Sequence, residues 1–192
     1  MTAERCRRVV LTGGPGSGKT SLVEHYQKAG HAIVPEAALQ IIQELTRTMG
    51  LAAQRRWRQK HVIEFQRLIL QRQIELERRG ISQAVGLVFL DRGRPDGLAY
   101  MHLAEVKPPE DMIALMAEDP YDYVFILDTL EQFDPRPATG RITESREDSL
   151  RIQRAIFGVY RDLGCQPVLV PVMPIARRAG WIDHAIQPAR KS

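Results

Sequence analysis

A chain of 192 residues with 44% hydrophobic and 26% charged side chains is long enough for one α/β core and too apolar to be a disordered tail. Its 27 basic residues exceed its 23 acidic ones, giving a net charge of +4, which suits an anionic ligand but is too small an excess to require nucleic acid. Cys6 and Cys165 have no His or Cys partner at metal spacing, so neither zinc nor a disulfide is implied. The polar start of the chain and the lack of any long apolar run argue against a signal peptide or a membrane span, and the cytoplasm is the expected compartment.

Short β-branched runs alternate with helical patterns along the chain. Residues 8–12 form the first apolar run, and helix 19–29 follows a glycine-rich turn and stops at Gly30. Residues 31–35 are a second strand, and helix 36–48 places Ala38, Ile41, Ile42 and Leu45 on one face before Gly50. A long helical stretch is expected over 52–79, with Trp57, Phe65, Leu68, Ile69 and Leu76 among arginines and glutamines. The third strand is 86–90, followed by short helices over 96–105 and 109–118. The fourth strand is 123–127. Ser145 and Asp148 have capping-box spacing at the head of a helix ending near Gly164. A fifth strand, 167–171, leads to a last helix that Pro174 opens. Five such runs separated by helices predict an α/β fold in three layers, with a five-stranded parallel sheet buried on both faces. No linker divides the chain, so one domain is expected over 1–192, with a lid at about 131–146 and an acceptor-site helical region at about 43–80.

The turn after the first run, Gly13-Gly14-Pro15-Gly16-Ser17-Gly18-Lys19-Thr20, matches G-x-x-x-x-G-K-[ST] in full. Glycines let the backbone curl so that its N–H groups surround phosphates. Lys19 can reach the β- and γ-phosphates, and the Thr20 hydroxyl can ligate Mg²⁺. The helix that begins there adds the positive end of its dipole. All eight residues, with Ser21 after them, are the candidate nucleotide contacts. The third strand runs into Asp91, a carboxylate placed to hold Mg²⁺ directly or through water; the plainer alternative is a cap on a βα turn. The next residue is Arg92 rather than the glutamate that motor ATPases use to polarise water, and the chain is too short for a motor core with its lid domain. No asparagine occurs anywhere, so the N-K-x-D guanine reader of regulatory GTPases is excluded. A small-molecule kinase arrangement remains, with ATP and Mg²⁺ as the expected cofactors.

Several segments carry a family resemblance. They are residues 11–20, Val34-Pro35-Glu36-Ala37-Ala38, Phe89-Leu90-Asp91-Arg92-Gly93 with Pro95-Asp96, Tyr160-Arg161-Asp162-Leu163-Gly164, and 168–171. In these the chain resembles the AAA-domain ATPases related to the nicotinamide-riboside kinase domain of the bacterial NAD regulator. The resemblance implies a thymidylate- or deoxynucleoside-kinase-like fold with strand order 2-3-1-4-5. It also implies that Glu36, at the end of the second strand, receives the proton of the attacking hydroxyl; phosphoryl transfer asks the protein for little beyond such orientation. The alternative is an acid favouring a helix start. Where relatives often carry Asp-Gly-x-Arg before the lid helix, this chain reads Pro137-Ala138-Thr139-Gly140-Arg141.

Arg92 would face the same cleft and hold the acceptor hydroxyl or the transferring phosphoryl group; otherwise it is a surface ion pair. Arg136, Arg141 and Arg146 lie in a Pro- and Gly-containing stretch after the fourth strand and are the candidates for a lid that closes on the triphosphate, with Arg141 the candidate catalytic one. Trp57, Phe65 and Gln66 are candidates for contact with a ring, although their helical spacing also fits core packing. The expected partners are ATP and a small hydroxyl acceptor, nucleoside-like, with a monomer or homodimer as the assembly. One alternative is a nucleotide-dependent switch that recognises a protein or anionic lipid through Arg55, Arg56 and Arg58. A kinase for nucleic-acid ends is less favoured, because no aromatic residues interleave with the basic ones as base stacking requires.

Overall fold

Val9, Val10 and Leu11 are fully buried, which places their strand, β1 (Arg7–Thr12), in the middle of the molecule. The computed structural model describes residues 5–131 and 145–186. β2 (Ala32–Val34), β3 (Leu87–Asp91), β4 (Tyr123–Leu127) and β5 (Val168–Val170) complete a five-stranded sheet in the order β2-β3-β1-β4-β5. Every pairing is parallel, with Val10 beside Leu90 on one side and Val124 on the other. This is the strand order expected from the resemblance. The five strands lie where the apolar runs predict them, to within one residue at each end.

Successive strand residues point to opposite faces, and the two faces build two cores. Val9, Leu11, Phe89 and Phe125 pack with α1 (Lys19–Lys28) and α8 (Ile175–Ile186) through Leu22, Tyr26, Ile182 and Ile186. Val10, Val88, Leu90 and Ile126 pack on the other face. They meet α4 (Val62–Gln83), α5 (Asp96–Leu103), α6 (Glu110–Ala117) and α7 (Arg146–Asp162) through Leu70, Met101, Met112 and Ile156. A third, smaller cluster joins α2 (Ala37–Met49) to α4 through Ile41, Ile42 and Phe65, with Trp57 of α3 (Leu51–Lys60) against it. Among the described residues no helix is long and apolar enough to cross a membrane.

The helical stretch expected over 52–79 is two helices. The chain breaks at His61, whose backbone leaves helical geometry at φ −119° and ψ 55°. Its carbonyl accepts the first bond of α4 from Phe65 while its own N–H closes α3 on Trp57. The indole of Trp57 stacks on the His61 ring at 5.2 Å. That bend turns α3 back against α2 and α4 instead of letting it run past the sheet.

At the head of α7 the Ser145 hydroxyl accepts from the Asp148 N–H at 3.0 Å, which is the capping contact the spacing predicts. Replacing an N-cap serine with alanine costs about 1 kcal/mol. Ser145→Ala is therefore expected to lower the free energy of urea unfolding by that amount. An unchanged transition midpoint would mean that the cap contributes nothing to α7.

Candidate active site

In a parallel sheet of this kind, ligands bind beyond the carboxyl ends of the strands. The loop from Gly13 to Gly18 lies there, between the central strand and α1. Gly13 adopts φ +137°, and a Cβ on it would lie 2.6 Å from the Leu127 carbonyl oxygen, so no side chain fits. The Lys19 ammonium is buried within the curl of the loop. It donates to the carbonyls of Gly13 (3.0 Å) and Gly14 (2.7 Å) and to the Ser17 hydroxyl (3.1 Å). Thr20 and Ser21 are exposed in the first turn of α1.

Three segments hold this loop from outside. The Ser149 hydroxyl of α7 donates to the Pro15 carbonyl, and the Leu130 N–H donates to the Gly16 carbonyl at 3.1 Å. Arg178 of α8 is completely buried and donates to the Ser17 carbonyl at 2.6 Å and to the carbonyls of Asp128, Val170 and Pro171. Burial lowers its pKa and Asp128 opposes that shift, so carbonyl dipoles and one carboxylate support its charge. The sequence gives a usable sign of this residue: Arg178 stands four residues before Ile182 and eight before Ile186, on the buried stripe of its helix.

The turn after β3, Asp91-Arg92-Gly93-Arg94-Pro95-Asp96, makes the second half of the site. Arg92 has φ +75°, a left-handed geometry unusual for a residue with a side chain. Its N–H bonds the Leu11 carbonyl at 3.0 Å, and its carbonyl accepts from Gln73 at 3.2 Å. Its guanidinium meets Glu36 through Nε (3.2 Å), and the Gly13 carbonyl (3.2 Å) and Asp96 (2.9 Å) through Nη1. Burial works against its charge, but Tyr100, Glu36, Asp96 and Asp91 outweigh that effect and hold it firmly cationic.

Asp96 is the hub that reading the sequence misses. Its carboxylate accepts from Thr12 (2.5 Å), Arg92 (2.9 Å) and Tyr160 (3.0 Å). Burial and the neighbouring Asp96 push the Tyr160 phenol well up, so it remains a donor. A Cβ on Gly93 would lie 2.3 Å from that phenol oxygen, so only glycine lets the turn approach Tyr160. Beside this network the buried Glu77 accepts from Arg94 (2.9 Å), Tyr121 (2.7 Å) and Gln73 (3.0 Å), which ties the turn to α4.

The structure thus gathers Gly13, Glu36, Arg92 and Asp91 at one end of the sheet. β2 lies two strands from β1, and Arg92 spans the gap by holding Glu36 and the Gly13 carbonyl together. Arg146 is exposed at the start of α7 and bonds the Leu130 carbonyl at 3.4 Å, near the loop. Arg136 and Arg141 lie outside the described residues, as does most of the lid expected over 131–146.

A cavity of about 490 Å³ opens beside these groups. Pro15, Glu36, Arg92 and Asp96 line it where it meets the loop, and Ile42, Phe65, Gln66, Ile69 and Arg58 line it on the side of α2, α3 and α4. Phe65 and Gln66 therefore face it, whereas Trp57 packs on His61 and the small third cluster. Among the described residues no group of three His, Cys, Asp or Glu side chains could hold a metal alone. Mg²⁺ in phosphate sites takes one or two protein oxygens together with substrate phosphates and water. The Thr20 hydroxyl and the Asp91 carboxylate are a donor set of that size.

A family model describing an AAA domain matches residues 8–178, and the chain belongs to that family. Among solved structures, NadR protein in complex with NR superposes with a TM-score of 0.70 at 15% identity, over 98% of this chain and 53% of that one. The chain thus spans about half the length of NadR. Deoxyadenosine kinase from M. mycoides gives a TM-score of 0.58 at 14% identity, covering 93% of this chain and 98% of that one. Thymidylate kinase from Candida albicans gives 0.54 at 13%, over 95% and 91%. At these identities the likeness is one of fold, and the fold is that of the P-loop kinases. No curated protein matches the chain in sequence.

Breaking one partner of a buried ion pair costs about 3–5 kcal/mol, because the other charge stays buried. Asp96→Asn leaves Arg92 with one fewer counter-charge and is expected to lower unfolding stability by about 3 kcal/mol, measured by urea titration. A loss below about 1 kcal/mol, the scale of a surface pair, would show that Asp96 is not the hub.

Proposed function

We propose that the protein is an Mg²⁺-dependent, ATP-binding phosphotransferase that moves the γ-phosphoryl group of ATP to the hydroxyl of a small, nucleoside-like acceptor. The observation that carries the reading is the cavity beside the P-loop with Glu36 and Arg92 at its mouth. Its volume of about 490 Å³ falls in the usual range of small-molecule sites. A nucleotide switch that recognises a protein or lipid surface has no need of such a cavity next to its phosphates. We read the whole chain as one folding unit around this cleft.

In this reading the loop from Gly13 to Thr20, with Ser21 behind it, wraps the phosphates, and Lys19 turns from its loop carbonyls to the β- and γ-phosphates. Mg²⁺ held by Thr20 and Asp91 with the phosphate oxygens supplies charge neutralisation. The acceptor hydroxyl oxygen bonds to the γ-phosphorus as the bond from that phosphorus to the β–γ bridging oxygen breaks. ADP leaves, and the hydroxyl proton passes to Glu36. Arg92 holds the Glu36 carboxylate through Nε and presents its charge to the transferring group. Arg146, Arg136 and Arg141 are the cations available to a closing lid, with Arg141 as the catalytic candidate. Adenine is expected over guanine, since the chain has no asparagine with which to build the usual guanine reader.

Glu36→Gln keeps size and hydrogen bonding but cannot take a proton. Acceptor phosphorylation should fall about 10²-fold or more, the scale of a lost general base, with ATP affinity little changed in calorimetry. If ATP·Mg²⁺ binding disappears instead, Glu36 belongs to the metal shell; if turnover is unchanged, it is a helix-start acid and the kinase reading loses its base.

A further inference from the structure

Gln66 of α4 lines the cavity, is only 5% exposed, and makes no hydrogen bond among the described residues. Its amide head is not sealed off from the cavity. The walls around it are largely apolar, with Ile42, Phe65, Ile69, Leu70 and Met116 lining the same space. An amide taken out of water without a partner is costly, and folded proteins rarely leave one in that state. Gln73, two turns further along the same helix, shows the usual arrangement: its amide donates to Glu77 at 3.0 Å and to the Arg92 carbonyl at 3.2 Å. Two arginines on the same cavity are likewise met within the fold, Arg92 by Glu36 and Asp96, and Arg94 by Glu77. The fold also keeps a place for the Gln66 amide. A Cβ on Gly97 of α5 would lie 3.1 Å from Gln66 Oε1 and 2.8 Å from Met116 Cε, so the glycine leaves the amide its room.

We propose that Gln66 is the specificity-determining residue of the cavity. It selects an acceptor whose ring presents a neutral hydrogen-bond donor beside an acceptor, as a carboxamide or the edge of a base does. A glutamine amide offers one N–H and one carbonyl side by side, so it pairs with such an edge through two parallel bonds. The apolar walls take the faces of the ring, and Glu36 takes the hydroxyl. A ligand that fills the cavity displaces the water that would otherwise serve the amide, and it loses affinity unless it replaces those bonds. A ring without the donor and acceptor pair leaves Gln66 buried and unmet, and sites built on a buried polar group reject such analogues strongly. The inference rests on the reading of the cavity as the acceptor site and adds the chemistry of its occupant.

The test uses pairs that share a frame and a free 5′-hydroxyl but differ in that edge. Nicotinamide riboside against 3-acetylpyridine riboside probes a carboxamide. Adenosine against purine riboside, and uridine against 3-methyluridine, probe a base. Binding is measured by calorimetry on the full chain saturated with a non-hydrolysable ATP analogue, so it does not depend on turnover. In at least one pair the member with the intact edge should bind about tenfold tighter or more, which is about 1.4 kcal/mol. Gln66→Met keeps the length of the side chain but not its amide, and should erase that difference by weakening the intact member alone. Circular dichroism melting reports folding. Gly97→Ala, which crowds the amide without removing it, should reduce the same difference and serves if Gln66→Met does not fold. Equal affinities within every pair overturn the proposal, as does failure of every compound to bind. A Q66M variant that weakens both members equally also overturns it, since that is the mark of a structural role. ATP consumption with the same compounds reads the kinase assignment separately: edge-selective binding without transfer would overturn that assignment and leave the role of Gln66 standing.

Discussion

The buried guanidinium of Arg92 is the point from which the rest of the site hangs. It joins strand β1, through the Gly13 carbonyl, to strand β2, through Glu36, and to helix α5, through Asp96. Taking that charge out of water is costly, and so is its left-handed backbone, which alone costs about 1–2 kcal/mol. Both are sustained because the surroundings over-determine the residue. Its N–H and carbonyl are bonded by Leu11 and Gln73, and three carboxylates and a phenol lie around its head group. The glycine that follows lets the turn press against Tyr160, which in turn holds Asp96. One six-residue turn therefore sets the position of Glu36 relative to the P-loop, although the two lie on strands that do not touch.

The P-loop is held on its other sides by Arg178, Ser149 and Leu130, all through its backbone carbonyls. These bonds to the Pro15, Gly16 and Ser17 carbonyls fix the curl of the loop from outside. A loop fixed in this way is shaped before any ligand arrives, and preorganised dipoles of that kind are the ones that stabilise developing charge most effectively. The cavity beside the loop is walled in part by helices α2, α3 and α4, which meet in the small cluster of Ile41, Ile42 and Phe65, while α4 also reaches the sheet core through Leu70.

The parts that depend on local pattern were legible in the sequence. Strand positions, the phosphate loop, the Ser145 cap and the helix after Pro174 each follow from a few adjacent residues. The break at His61 was not, because periodicity continues across it and only the stacking of Trp57 on His61 marks it. The hub role of Asp96 was also hidden: as a sequence feature it is an acid at a helix start, and its meaning comes from Thr12, Arg92 and Tyr160, which fold in from three other elements. Arg178 and Glu77 were readable in principle. Each is a charged residue on an otherwise buried helical stripe, at four residues from Ile182 and from Gln73 respectively. A charge in that register either breaks the fold or has a buried partner waiting. Gln66 and Gln73 share the α4 stripe, and a run of buried amides facing a cavity is likewise a sign that core packing alone does not explain.

The claim at the centre of this account is that the P-loop and the neighbouring cavity act on one phosphoryl group. It is tested most directly by following the label from γ-³²P ATP with Mg²⁺, with and without a panel of nucleosides and vitamins bearing free hydroxyls. The account predicts label in an organic phosphate ester, formed only when the right acceptor is present and well above the rate of release to water. Label appearing solely as inorganic phosphate, at the same rate with every acceptor and with none, would contradict it.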